Sequence, residues 1–212
     1  MVPYDQPVRI GVVLYDGVEP IDLGGTLGVI SMAGRLLPGL TGVAIAETAG
    51  PVRCAGGLTV IAAHGFADAP ECEAVVVTGG PSWRAQAENP AMLAYLRGVG
   101  TARLASVCTG ALILGAAGLL LGRKATTRRA AVGAETQAPL ALLAQMGAEA
   151  VAAQIVDDGG PVTGGGVSLA HDLTLHLLGR LYGEAARDAV ARLIEYDRAF
   201  AANRAALGVV VA

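Results

Sequence analysis

Cys108 stands where a thiol would be most useful as a nucleophile. It lies in "SVCTGALILG" (106–115), between the β-like run "ARLASV" (102–107) and the helix-forming "GALILGAAGLLLG". A helix N-terminus favours a thiolate, and the free amides there hold developing negative charge. Gly110 and the small Ala111 permit a tight strand-to-helix reversal, the geometry of a nucleophile elbow, although the G-x-S-x-G form is absent. The rival reading is a buried small hydrophobe, the usual state of a free cysteine, and position alone leaves both open. Cys54 and Cys72 lie in loop-like stretches with no such junction and read as packing residues.

Two further features fall at the ends of apolar runs. "EAVVVTGG" (73–80) closes on Gly79-Gly80, and "VRIGVVLY" (8–15) leads through the turn "DG" to Asp22. In an open parallel sheet, ligands collect at the carboxyl ends of the strands, so these two turns and Cys108 are candidates for one site. Asp22 reads equally as the cap of a helix over 22–34. Glu19 is the weaker acidic candidate, a solvated turn residue by type. The histidines and cysteines show no metal-ligand spacing, so neither a metal nor a cofactor is expected.

These residues need a frame, and the pattern supplies one. Strands are expected over 8–15, 42–48, 58–64 (a hairpin with residues near Val52), 73–80 and 102–107, and as a pair within 153–166. Helices are expected over 22–34, 89–100 with Asn89 at the N-cap and Pro90 at N1, 110–122, 138–148, 167–183 and 184–197. The tail 198–212 ends in the apolar "GVVVA", which is expected to pack on the domain or on a partner. Alternating strands and helices predict an α/β three-layer sandwich, its central sheet mostly parallel and flanked by helices. One domain over 1–212 is expected.

Composition narrows the function classes. The net charge is −3, and the densest basic stretch, "GRKATTRR" (122–129), holds four cations, which reads as a solvated loop rather than a nucleic-acid footprint. The uncharged run from Leu104 to Gly122 is nineteen residues, nominally a membrane span. Its four glycines and its strand–cysteine–helix order read instead as a buried piece of an α/β core. An odd cysteine count and the lack of a signal-peptide pattern at the start point to free thiols in a cytoplasmic protein.

Taken together, "GVVLYDGVEPIDLGGTLGV", "AVVVTGG", "SVCTGALILGAAGLLLGRKATT" and "VDDGGPVTGGGVSLAHDLTLHLLGRLYG" resemble the ThiJ/PfpI superfamily. The resemblance implies a flavodoxin-like, class I glutamine-amidotransferase-like fold. Val107-Cys108-Thr109-Gly110 and the aspartate of "PIDL" are most similar to the isocyanide (isonitrile) hydratase branch, and also to amidase-like domains of AraC-type regulators. It implies Cys108 as nucleophile, Asp22 as the acid beside it, and Gly79, Gly80 and Thr109 lining an oxyanion and substrate pocket through backbone amides. The implied activity is hydration of a small isocyanide to an N-substituted formamide by a homodimer. The alternatives are a glyoxalase- or deglycase-like enzyme acting on small reactive carbonyls, and a non-catalytic ligand or oxidant sensor.

One departure bears on the chemistry. Relatives often carry a histidine after "KATT" that faces the cysteine; here the sequence reads Thr126-Thr127-Arg128-Arg129. A Cys–His hydrolase would lack its base, whereas isocyanide hydration can run on a thiolate and a carboxylic acid. Arg128 would place a cation near the pocket and favour an anionic substrate. His171 and His176, on the helix 167–183, are expected to be packed or exposed rather than catalytic.

Overall fold

In the computed structural model, which describes residues 1–211, continuous apolar runs become sheet strands and the amphipathic segments cover them. The strands in chain order are β1 (Val8–Val13), β2 (Leu40–Ala46), β3 (Gly50–Arg53), β4 (Thr59–Ala62), β5 (His64–Gly65), β6 (Ala74–Val77), β7 (Leu104–Ser106), β8 (Lys124–Ala125), β9 (Glu149–Ala150), β10 (Ile155–Asp157), β11 (Val162–Gly164) and β12 (Val209–Val211). The helices are α1 (Pro20–Leu23), α2 (Val29–Ala33), α3 (Trp83–Ala87), α4 (Pro90–Val99), α5 (Gly110–Ala116), α6 (Pro139–Gln145), α7 (Ala170–Tyr182), α8 (Glu184–Leu193) and α9 (Asp197–Leu207). A π-helical turn, Gly24–Gly28, joins α1 to α2.

Eight strands form one sheet in the order β12-β10-β11-β7-β6-β1-β2-β5. The pairs of β1 with β2 and β6, of β6 with β7 and of β7 with β11 are parallel, while β10 and β12 run the other way. The central strands β6 and β7 are buried along their whole length, as parallel strands covered on both faces must be. Helices α1, α2, α7 and α8 pack together on one face, and α3, α4, α5 and α6 are linked on the other, giving the three layers expected. β3 and β4 form the hairpin read around Val52, pairing Val52 with Val60. Asn89 caps α4 with Pro90 at N1, its side-chain oxygen accepting from the amides of Ala91 and Met92.

Several segments differ from the sequence reading, among them the following. The first helix begins at Pro20 with Glu19 at its N-cap, so Asp22 lies inside the first turn and caps nothing. Helix α5 stops at Ala116 rather than running to Gly122, because Gly118 at φ +77° takes the left-handed conformation that terminates a helix. The stretch 122–129 is not simply a solvated loop: it contains β8, and Thr126 and Thr127 are fully buried. The tail packs on the domain as expected, β12 adding in parallel to β10, but helix α9, from Asp197, precedes it where no helix was expected. Among the described residues, no helix is long and apolar enough to cross a membrane.

Candidate active site

The carboxyl ends of β1, β6, β7 and β11 open toward one place. From them come the turn leading to Glu19 and Asp22, the Gly79-Gly80 pair, Cys108 with Thr109, and the loop Gly165-Gly166-Val167. Residues 126–128, after β8, complete the surround. A cavity of about 150 Å³ lies here, walled by Glu19, Gly80, Pro81, Cys108, Thr109, Arg128, Val132, Glu135 and Val167.

Cys108 sits at φ +52°, and Val167 across the cavity at φ +60°. Left-handed backbone is unusual for any side chain and a real outlier for β-branched valine, costing roughly 1–3 kcal/mol at each residue. Such strain persists only where neighbours over-determine it, and here they do. The Cys108 amide donates to the Gly165 carbonyl at 3.1 Å, and the Cys108 carbonyl accepts the Thr127 hydroxyl at 2.5 Å. Two glycines allow the crowding: a Cβ on Gly110 would lie 2.1 Å from the Val77 carbonyl oxygen, and one on Gly79 would lie 2.8 Å from the Cys108 Cβ. The backbone amides of Thr109 and Val167 favour the ionised form of the sulfur.

The electrostatics are those of a closed pair of acids. Burial pushes the Cys108 thiol up to about 11, and the Asp22 charge adds to this, while the Thr109 and Val167 amides and Arg128 pull it back. Asp22 is fully buried and does not line the cavity. Its Oδ2 accepts the Gly79 amide at 2.7 Å, whereas Oδ1 is buried with no protein partner. Burial raises its carboxyl to about 7, with the Glu19 charge adding and the Gly79 amide and Arg128 opposing. The same burial, reinforced by Asp22, Cys108 and Glu19, holds Tyr15 well above the usual phenol range; its hydroxyl donates to the Thr78 carbonyl at 3.1 Å. At neutral pH the site therefore holds a thiol beside a carboxyl group poised to gain or lose a proton.

Each residue singled out in the sequence has a definite place. Cys108, Thr109, Gly80 and Glu19 line the cavity, and Asp22 and Gly79 stand behind it, joined to each other. The Gly80 amide donates to the Thr109 hydroxyl at 3.0 Å, so the amides favouring the ionised sulfur are those of Thr109 and Val167. Arg128 does reach the cavity, but as one half of an ion pair with Glu135. His171 contacts the Ser168 carbonyl and stacks on Tyr196, and His176 pairs with Asp157 at 2.8 Å; neither lines the cavity. Val167, Thr127 and Glu135 were not singled out, because no local pattern marks them; only the packing of distant segments brings them to Cys108. Among the described residues no group of side chains is arranged to hold a metal.

Residues 8–180 match the model of the DJ-1/PfpI family. The chain is 33% identical over 191 residues to an isonitrile hydratase from Pseudomonas putida, an alignment covering 89% of this chain and 78% of that protein. It is similar to the crystal structure of a ThiJ/PfpI family protein from Pseudomonas syringae, with a TM-score of 0.78 and 30% identity, over 92% of this chain and 78% of the other. DJ-1beta of Drosophila melanogaster shares the fold at a TM-score of 0.75 and 19% identity, over 90% of this chain and 98% of the other.

Proposed function

The chain belongs to the DJ-1/PfpI family, and from that premise we propose that it is a hydratase converting a small isocyanide to an N-substituted formamide through Cys108. The observation that carries this reading is the pairing of a strained, cavity-lining thiol with a buried carboxyl group raised to about 7, and with no histidine on the cavity wall among the described residues. The likeness to an isonitrile hydratase supports the same branch.

An isocyanide carbon accepts a nucleophile and a proton at one atom, and a thiol beside a carboxylate can deliver both. Asp22, whose charge acts on the thiol, takes the proton of Cys108 as the sulfur bonds to the isocyanide carbon. That proton then passes to the carbon, whose lone pair becomes a C–H bond, leaving a thioimidate, R–N=CH–S. The amides of Thr109 and Val167 hold the sulfur while it carries negative charge. Water adds to the thioimidate carbon and a proton goes to nitrogen. The C–S bond then breaks as the C=O forms, and the hydroxyl proton returns to sulfur. The sum is isocyanide plus water giving formamide, with thiol and carboxyl restored. A Cys–His route to carbonyl substrates has no histidine at this cavity among the described residues.

The test is incubation with cyclohexyl isocyanide, with formamide followed by mass spectrometry. Product is expected from the wild type and not from Cys108→Ala; turnover that survives this substitution would overturn the assignment.

A further inference from the structure

The cavity carries three charges whose arrangement bears on what reaches the thiol. Arg128 and Glu135 have side chains only 12% and 28% exposed and pair at 2.5 Å. The other Glu135 oxygen accepts the Val132 amide at 2.9 Å, and Arg128 also donates to the Ala130 carbonyl. The guanidinium that would bind an incoming carboxylate is thus already occupied by one from its own chain. Glu19, on the same wall, leaves the three with a net charge of −1.

We propose that Glu135 is a specificity-determining residue, which masks Arg128 and selects neutral electrophiles over anionic ones at Cys108. The inference rests on the reading of Cys108 as an attacking thiol, and not on the identity of the isocyanide. It reverses the expectation that Arg128 draws an anionic substrate: the cation stands beside the sulfur, but its charge is answered before a ligand arrives. Removing the Glu135 charge leaves the Arg128 cation unanswered next to the nucleophile, while its bond to the Ala130 carbonyl remains. Removing Arg128 leaves two carboxylates without a counter-charge.

The experiment measures alkylation of Cys108 by neutral iodoacetamide and by anionic iodoacetate, with the modified peptide identified by mass spectrometry so that Cys54 and Cys72 do not contribute. Each rate is normalised to that of glutathione. A change in the thiol's acidity alters both rates alike, so the ratio of the two reports only discrimination by charge. The wild type is expected to favour iodoacetamide. Glu135→Gln should lower that preference about fivefold or more, the effect expected of one charge a few ångströms away at a partly buried site. Arg128→Met should raise it. A ratio unchanged in whichever of these variants folds would overturn the proposal. The two readings fail separately: formamide without a shifted ratio removes only the selectivity, and a shifted ratio without formamide removes only the hydratase.

Discussion

Replacing Asp22 with asparagine should alter how stability depends on pH, and the size of the change follows from its burial. The carboxyl group titrates at about 7 in the folded protein against an ordinary value of 3.8. Because the folded state holds the proton more tightly, Asp22 stabilises the fold most below pH 3.8. That contribution is lost as pH rises, and the loss is complete once the folded carboxyl has ionised above about 7. Between pH 5 and pH 8 linkage puts the loss at about 2–3 kcal/mol, or roughly 5–10 °C in Tm for a domain of this size. Asparagine keeps the acceptor for the Gly79 amide but places an NH2 where Oδ1 has no partner, costing about 1–3 kcal/mol at every pH. That constant offset cancels in a pH difference. So do the contributions of Asp172, raised by burial, and His176, lowered by burial, which both proteins retain. The assay is urea denaturation of both proteins from pH 5 to pH 8. The wild type should lose stability relative to Asp22→Asn across this range. A flat difference, or one of opposite slope, would refute the picture of a buried carboxyl held against ionisation.

Two further outcomes are expected. Under the proposed mechanism, isocyanide turnover takes one proton on the pair of Asp22 and Cys108, so kcat/KM should rise through pH 7 and hold until the thiol ionises near pH 11; a profile falling from pH 6 to pH 8 would contradict this. Gly110→Ala should lose about 3 kcal/mol or more by chemical denaturation, since its Cβ would meet the backbone at Val77, which cannot move aside as a side chain can; wild-type stability would contradict it.

How far the site could be read from the sequence depended on the range of the interactions. The elbow at Cys108, the Gly79-Gly80 turn and the alternation of strands and helices are local signals, each written in a few neighbouring residues. Asp22 was visible as a residue, but its position inside α1, with its carboxylate turned to Gly79 rather than to its own helix, depends on a contact 57 residues away. Val167, Thr127 and Glu135 carry no local pattern and become part of the site only through packing. Helix α9 escaped notice because only Phe200 of it is buried, leaving almost no apolar face to betray its period. The early end of α5 shows the converse: its apolar run continues, but one glycine in the left-handed conformation ends the helix.

The two hydrogen bonds that pin the Cys108 peptide have a consequence for the order of assembly. One partner, Thr127, lies 19 residues downstream, and the other, Gly165, follows β11. During synthesis the cysteine emerges well before either, so no local sequence holds it at positive φ or withdraws it from water. Its thiol then has the exposure and acidity of any cysteine in an open chain. Only when the loop after β11 closes beside β7 is the sulfur withdrawn from water, and that burial makes it the guarded, weakly acidic group of the finished protein, with the Val167 amide offsetting part of the rise. The candidate site is therefore completed only after the chain has reached Gly165, and a chain interrupted before it would carry the cysteine without the bonds that hold its peptide at positive φ.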